Sequence, residues 1–159
     1  MMDLQNLEQQ TLDERDGEGL KVGIVIAQFN KDIADSMRLA CTNHLIALGV
    51  SADDITSVEV PGALEVPVVL DAMAKTGNFD TLVALGSVIR GETYHFEIVS
   101  NESARGILMV QLEYGTPVAN GILTCENVEQ ILERMEHKSR ECADVAVGMV
   151  GVLDKVYER

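Results

Sequence analysis

Apolar residues along this chain follow two alternating rhythms. Lys21 to Ala27, Lys-Val-Gly-Ile-Val-Ile-Ala, is short, β-branched and nearly all apolar, the pattern of a strand buried on both faces of a parallel sheet. After Gln28-Phe29-Asn30, apolar positions recur every three or four residues at Ile33, Met37, Ala40, Cys41, Leu45 and Leu48. That spacing predicts an amphipathic helix, with Gly49 placed to end it. The same signals then repeat. Ile55 to Val60 reads as a strand, Pro61-Gly62 as a turn, and Leu64 to Lys75 as a helix stopped by Gly77. A strand at Thr81 to Leu85 leads through a glycine-bounded loop to a helix from about Phe96 to Leu112, which Gly115-Thr-Pro117 closes. The last strand covers Val118 to Leu123. Asn127-Val-Glu-Gln130 has the form of a helix N-cap with a glutamine three residues on, opening a helical pattern through Met135 and again from Lys138 to Val156.

Four βα units in succession predict an α/β fold, because parallel neighbours need a long crossover and right-handed crossovers place helices on the sheet faces. The expected architecture is a flavodoxin-like three-layer sandwich: a four-stranded parallel sheet in the order 2-1-3-4 with helices on both faces. Residues 1–19 carry many acids and few large apolar side chains and read as a mobile N-terminal arm. Residues 20–159 read as a single domain. Sheets of this kind bind ligands beyond the carboxyl ends of their strands. Here those ends are Gln28-Phe29-Asn30, Pro61 to Glu65, Gly86 to His95 and Thr124 to Asn127.

Charge narrows the partners. Twelve Lys and Arg against 26 Asp and Glu give a formal charge of −14, which repels nucleic acid and anionic lipid, so any bound phosphate has to be small and locally held. The longest apolar runs, such as Thr81 to Leu85 and Val145 to Val152, fall well short of the roughly 18 residues that span a bilayer. Met1 to Gly19 lacks the basic start and apolar centre of a signal peptide. The expectation is a cytoplasmic protein with neither membrane nor nucleic-acid partner. Cys41, Cys125 and Cys142 are odd in number, widely spaced and set among apolar neighbours, so they read as small buried hydrophobes in a reducing compartment. No Cys-x-x-Cys or His-x-x-x-His spacing occurs, and no metal site is expected.

The strand ends carry the candidate chemistry. Phe29 stands out in a chain with three Phe, three Tyr and no Trp; it either offers a flat face to a heterocycle or lids core residues. Glu65 stands at a helix start, where the dipole stabilises a carboxylate with or without a ligand. His95 follows Gly91-Glu-Thr-Tyr and is the one histidine in a strand-end loop. The positive end of a helix favours its neutral imidazole, which can accept a proton near working pH. His44, inside the first helix, and His137, in a charged helical stretch, read as solvated or packed. Arg90 and Arg134 suit phosphate oxygens, with surface ion pairs as the alternative; Glu133 and Glu136 beside Arg134 make a solvated helix face its default reading. Gly86 to Gly91 is neither a Walker loop nor Gly-x-Gly-x-x-Gly, which argues against ATP or NAD.

Four motifs lie in order at the four strand ends: Val22-Gly-Ile-Val-Ile-Ala-Gln-Phe-Asn30, Val60-Pro-Gly-Ala-Leu-Glu-Val-Pro67, Ala84-Leu-Gly-Ser-Val-Ile-Arg-Gly-Glu-Thr-Tyr-His-Phe-Glu97 and Gly121-Ile-Leu-Thr-Cys-Glu-Asn-Val-Glu-Gln130. Together they resemble the 6,7-dimethyl-8-ribityllumazine synthase family over nearly all of Leu20 to Val156. The resemblance implies the penultimate step of riboflavin biosynthesis, the condensation of 5-amino-6-(D-ribitylamino)uracil with 3,4-dihydroxy-2-butanone 4-phosphate, without metal or organic cofactor. By the same resemblance His95 is the acid–base group and Phe29 stacks on the pyrimidine. Ala63, Leu64 and Glu65 hold the ribityl chain and ring, and Val88 and Ile89 line the pyrimidine pocket. Glu92, Thr93, Arg134 and Lys138 receive the phosphate. Asn120 stands near the ring where many members have phenylalanine. Met135-Glu-His-Lys-Ser139 replaces a longer glycine-rich loop of many members, so a shortened loop is expected there. The family pattern also implies a homopentamer or a multiple of one, with Phe29, Glu65 and His95 facing Arg134 of the adjacent subunit, and riboflavin synthase as a further candidate partner. A module that holds a flavin or lumazine without turning it over would use the same fold and the same aromatic platform.

Overall fold

A computed structural model describes residues 16–159. The reading of residues 1–19 as a mobile arm therefore lies, for residues 1–15, outside the described residues. Residues 16–19 form a turn in which the Gly17 N–H donates to the Leu48 carbonyl at 2.8 Å.

Strands β1 (Val22–Ala27), β2 (Ile55–Val60), β3 (Thr81–Ile89) and β4 (Val118–Cys125) pair in parallel in the order β2-β1-β3-β4. This is the expected flavodoxin-like order. Between them run α1 (Lys31–Ala47), α2 (Val66–Thr76) and α3 (His95–Tyr114), and α4 (Val128–Tyr157) closes the chain. All six residues of β1 are buried, because β1 lies between two strands and under both helical layers. Its alternating side chains divide between two cores. Val22, Ile24 and Ile26 pack with Met37, Cys41 and Leu45 of α1 and Ile131, Cys142 and Ala146 of α4. Val25 and Ala27 pack with Val66 and Leu70 of α2 and Val99, Ile107 and Val110 of α3. Ile24, Leu82 and Leu85 are fully buried, each worth about 1.5–3 kcal/mol against exposure, whereas an exposed ion pair contributes about 0.2–1. Apolar burial therefore outweighs surface ion pairing in holding the sheet between its helical layers.

Local sequence sets the helix ends. Asn30 caps α1, its Oδ1 accepting the Ile33 N–H at 3.2 Å. Gly77 and Gly115 end α2 and α3 in the left-handed region, at φ 69° and 62°, where a side chain is strained. The expected helix at Leu64 begins instead as a 3₁₀ turn over Ala63–Glu65, and α2 proper starts at Val66. β3 and β4 run beyond the expected Leu85 and Leu123 to Ile89 and Cys125. Their ladder continues through Gly86↔Ile122, Ser87↔Leu123 and Val88↔Thr124, since backbone pairing does not require apolar side chains.

The largest departure is α4. The pattern predicts a break between Met135 and Lys138 and the family resemblance a shortened loop, but there is one continuous helix of 30 residues. Glu136-His-Lys138 interrupts the apolar stripe without supplying Gly or Pro to stop a helix. Ion pairs one turn apart line this stretch, the exposed Arg140 with Glu136 at 3.8 Å and the half-buried Lys138 with Glu141 at 3.5 Å.

All three cysteines are free and buried. Burial pushes the Cys41 thiol up to about 12, with Cys142 nearby adding to the shift, and pushes Cys142 up to about 11. Burial likewise pushes the Cys125 thiol up.

Candidate active site

The carboxyl ends of β1, β2 and β3 open toward the same layer, the one formed by α2 and α3. Beyond β1 the Gln28 N–H continues the ladder to the Val60 carbonyl at 2.8 Å, and the Gln28 side-chain amide hydrogen-bonds the Glu59 carboxylate. Phe29 falls between this anchor and the Asn30 cap and is 72% exposed. An aromatic held that far out of the core is not a lid. Beyond β2, Pro61-Gly62 turns the chain into the Ala63–Glu65 turn, where Ala63 is buried and Leu64 and Glu65 are exposed. Glu65 occupies the position preceding α2 but makes no side-chain capping hydrogen bond, so capping does not account for its carboxylate.

β3 delivers Val88 and Ile89, both half-buried, and then an exposed loop that ends at His95, the first residue of α3. The His95 N–H lies 3.4 Å from the Thr93 hydroxyl oxygen, a long contact. These three strand ends enclose a cavity of about 470 Å³, within the range of small-molecule sites. Phe29, Ala63, Leu64 and Glu65 line one side, and Val88, Ile89, Thr93 and His95 the other. Eight of the expected site residues therefore meet around one space.

The remaining four do not reach it. Glu92 lies on the exposed loop beside Thr93 but outside the lining. Asn120 sits opposite Ala84 in the middle of β4, five residues back from Cys125, the partner of Ile89; at about 3.3 Å per residue that is roughly 17 Å along the strand. Its Oδ1 accepts the Ile122 N–H at 3.0 Å. Arg134 donates to the Gln130 carbonyl at 3.0 Å and pairs with Glu133 at 3.5 Å, and Lys138 pairs with Glu141. Within one chain both cations thus lie on a solvated helix face.

A family profile described as 6,7-dimethyl-8-ribityllumazine synthase matches residues 19–154. The chain belongs to the 6,7-dimethyl-8-ribityllumazine synthase family. The 6,7-dimethyl-8-ribityllumazine synthase of Chromobacterium violaceum is 57% identical over 136 residues, covering 86% of this chain and 88% of its own length. That of Cupriavidus metallidurans is 54% identical over 138 residues, covering 87% and 82%. That of an Azoarcus species is 53% identical over 137 residues, covering 86% and 88%.

For a lumazine synthase family member, the cavity wall holds residues that the strand-end motifs did not single out. Ser87 enters because β3 continues past its last fully apolar stretch. Phe96 and Val99 enter from the first turns of α3, where helical spacing alone reads as ordinary core. Arg90, read from sequence as an anion ligand or a surface ion pair, is occupied by Glu97 and by Glu126, the latter at 2.9 Å. The Arg90 hydrogen bond is the main influence holding the Glu97 carboxyl below its usual range. His44 hydrogen-bonds Asp144 at 2.7 Å, bridging α1 to α4 on the sheet face opposite the cavity. Among the described residues no helix is long and apolar enough to cross a membrane, and no cluster of three or more His, Cys, Asp or Glu side chains is placed to hold a metal ion.

Proposed function

We propose that this protein condenses 5-amino-6-(D-ribitylamino)uracil with 3,4-dihydroxy-2-butanone 4-phosphate to 6,7-dimethyl-8-ribityllumazine, releasing phosphate and water, in the cytoplasm. The reading is carried by the meeting of Phe29, Glu65 and His95 around one cavity in a chain of this family. The pyrimidine's own amine attacks the ketone, and loss of water leaves an imine. Phosphate is then eliminated, and a second loss of water closes the ring. Each step moves a proton, which is work for a solvent-accessible imidazole. His95 takes that role. Phe29 stacks on the pyrimidine, while Glu65 and the backbone of Ala63 and Leu64 hold the ring and ribityl chain. Val88 and Ile89 border the ring, and Glu92 and Thr93 offer backbone amides and a hydroxyl to the phosphate.

The cation for the leaving phosphate comes from a neighbour. Arg134 and Lys138 lie outside this chain's cavity, and so does Asn120, which makes a site completed by a second copy the economical arrangement; the assembly is a homopentamer or a multiple of one. Its support is the apolar surface that a single chain leaves bare: Leu108, Met109 and Leu112 on α3 are 57%, 60% and 85% exposed, and Val152 and Val156 on α4 are exposed as well. A guanidinium held in place before reaction stabilises the phosphate's growing charge. Riboflavin synthase, which consumes the product, is the expected further partner.

The test is direct. Purified protein given both substrates forms fluorescent lumazine and releases phosphate in step. Tight lumazine binding with no product at any enzyme concentration would replace the enzyme with a binding module.

A further inference from the structure

Arg90 is absent from the cavity wall, yet it touches three of the pieces that shape it. Its N–H donates to the Cys125 carbonyl at 2.9 Å, extending the β3–β4 ladder by one step. One terminal guanidinium nitrogen meets Glu97 in the first turn of α3, while Nε lies 2.9 Å from Glu126 just beyond β4. The flat face covers the Phe96 ring, with Cζ 4.3 Å from its centroid. Phe96 itself lines the cavity beside His95.

The segment between these contacts has little to hold it. Outside the α3 ladder and among the described residues, the hydrogen bonds of 91–95 are the His95 N–H to Thr93 contact at 3.4 Å and the Ile98 N–H to the Tyr94 carbonyl at 3.3 Å. Residues 91–95 are all exposed, and a Cβ added to Gly91 would meet nothing within 4 Å. Arg90 before the segment and Glu97 after it are therefore its two tied ends. The tie needs a planar fork, since two carboxylates and a ring face are engaged at once. A lysine ammonium is a point charge and satisfies only part of this.

We propose that Arg90 is a positioning residue for the reaction: by holding Glu97, Glu126 and Phe96 together it fixes the Gly91–His95 segment, and with it the reach of the His95 imidazole and the Thr93 hydroxyl. This rests on the reaction proposed above. Arg90 also balances two carboxylates that would otherwise stand unpaired near a phosphate in a chain of formal charge −14. Exposed ion pairs add little stability, whereas a displacement of about 1 Å in a reacting group costs about 10² in rate. Loss of Arg90 should accordingly register in catalysis before it registers in folding.

The experiment compares R90A, R90K, E97Q and the R90A/E97Q double variant in the native assembly, with each substrate varied in turn. Hydrogen exchange of the 91–97 amides and Tm are followed alongside. R90A should lower kcat by about tenfold to a hundredfold and raise KM for the phosphate-bearing substrate more than for the pyrimidine. Its loop amides should exchange faster, and Tm should move by only a few degrees. R90K should recover a minor part of the rate, and the double variant should lose less than the sum of the singles, as coupled partners do. Wild-type kcat, KM and exchange in R90A would overturn the proposal. So would an equal fall for both substrates with unchanged loop exchange, which marks lost folded enzyme rather than a displaced loop. A wild-type protein with no turnover would sink the reaction, and loop exchange in R90A would then decide the clamp alone: faster exchange upholds it, unchanged exchange removes it.

Discussion

Four helices begin at the carboxyl edge of the sheet, and the last two of them, α3 and α4, begin differently. α4 is closed at its start: Asn127 accepts the Gln130 N–H at 2.9 Å, and the Gln130 side chain reaches back to the Glu126 N–H at 2.8 Å. α3 has no such cap, its preceding residue Tyr94 already lies in the helical region, and the Thr93 hydroxyl makes only a long contact with His95. A helix start carries unpaired N–H groups and a partial positive charge. Where a chain satisfies them with its own side chains it makes scaffold; where it leaves them free it keeps a place for an anion. The proposed chemistry uses the open start, and the closed one fixes the helix that carries Arg134.

The sharpest way to break this comparison is at the open start. His95→Ala should lower kcat by about 10² or more if the imidazole moves the protons. A rate unaffected by the substitution, or a wild-type profile that stays flat from about pH 5 to about pH 9, would remove His95 from that role. Next in size is Arg134→Ala, expected to raise KM for the phosphate-bearing substrate about tenfold, in line with a lost charge-assisted pair, while the pyrimidine KM holds. Equal weakening of both would argue that Arg134 only supports α4. At the closed start, Asn127→Ala should cost about 1 kcal/mol, seen as a fall in Tm of roughly 2–4 °C, with kcat preserved. Thr93→Val is the smallest and most discriminating change. Stability should shift by less than about 0.5 kcal/mol, yet the phosphate-bearing substrate should bind more weakly. A Tm loss matching that of Asn127→Ala would make Thr93 a cap after all.

The same contrast explains what was legible in the sequence. Asn127 with Gln130 is a local signal, and the start of α4 follows it to the residue. β1 and β2 are legible because a β-branched run bounded by polar or turn residues has few alternatives. β3 and β4 reach further than their apolar runs because Gly86, Ser87 and Thr124 pair through backbone, which leaves no hydropathy signature. The unbroken α4 was hidden for the opposite reason: a polar turn at Glu136-His-Lys138 interrupts the stripe while nothing in it stops a helix. At the site, the strand-end rule found the residues that project from loops. It missed Phe96 and Val99, whose spacing is that of core, and it left Arg90 open between an anion and a surface ion pair, a choice that the pairing with Glu97 and Glu126 decides.

The buried cysteines carry a practical consequence. Burial displaces all three thiols toward the neutral form, and thiolate is the species that reacts. An added surface cysteine would thus outpace Cys41, Cys125 and Cys142, all of them buried, toward a maleimide or a spin label. Chemical decoration of this chain can begin from the natural sequence without first stripping out its sulfur.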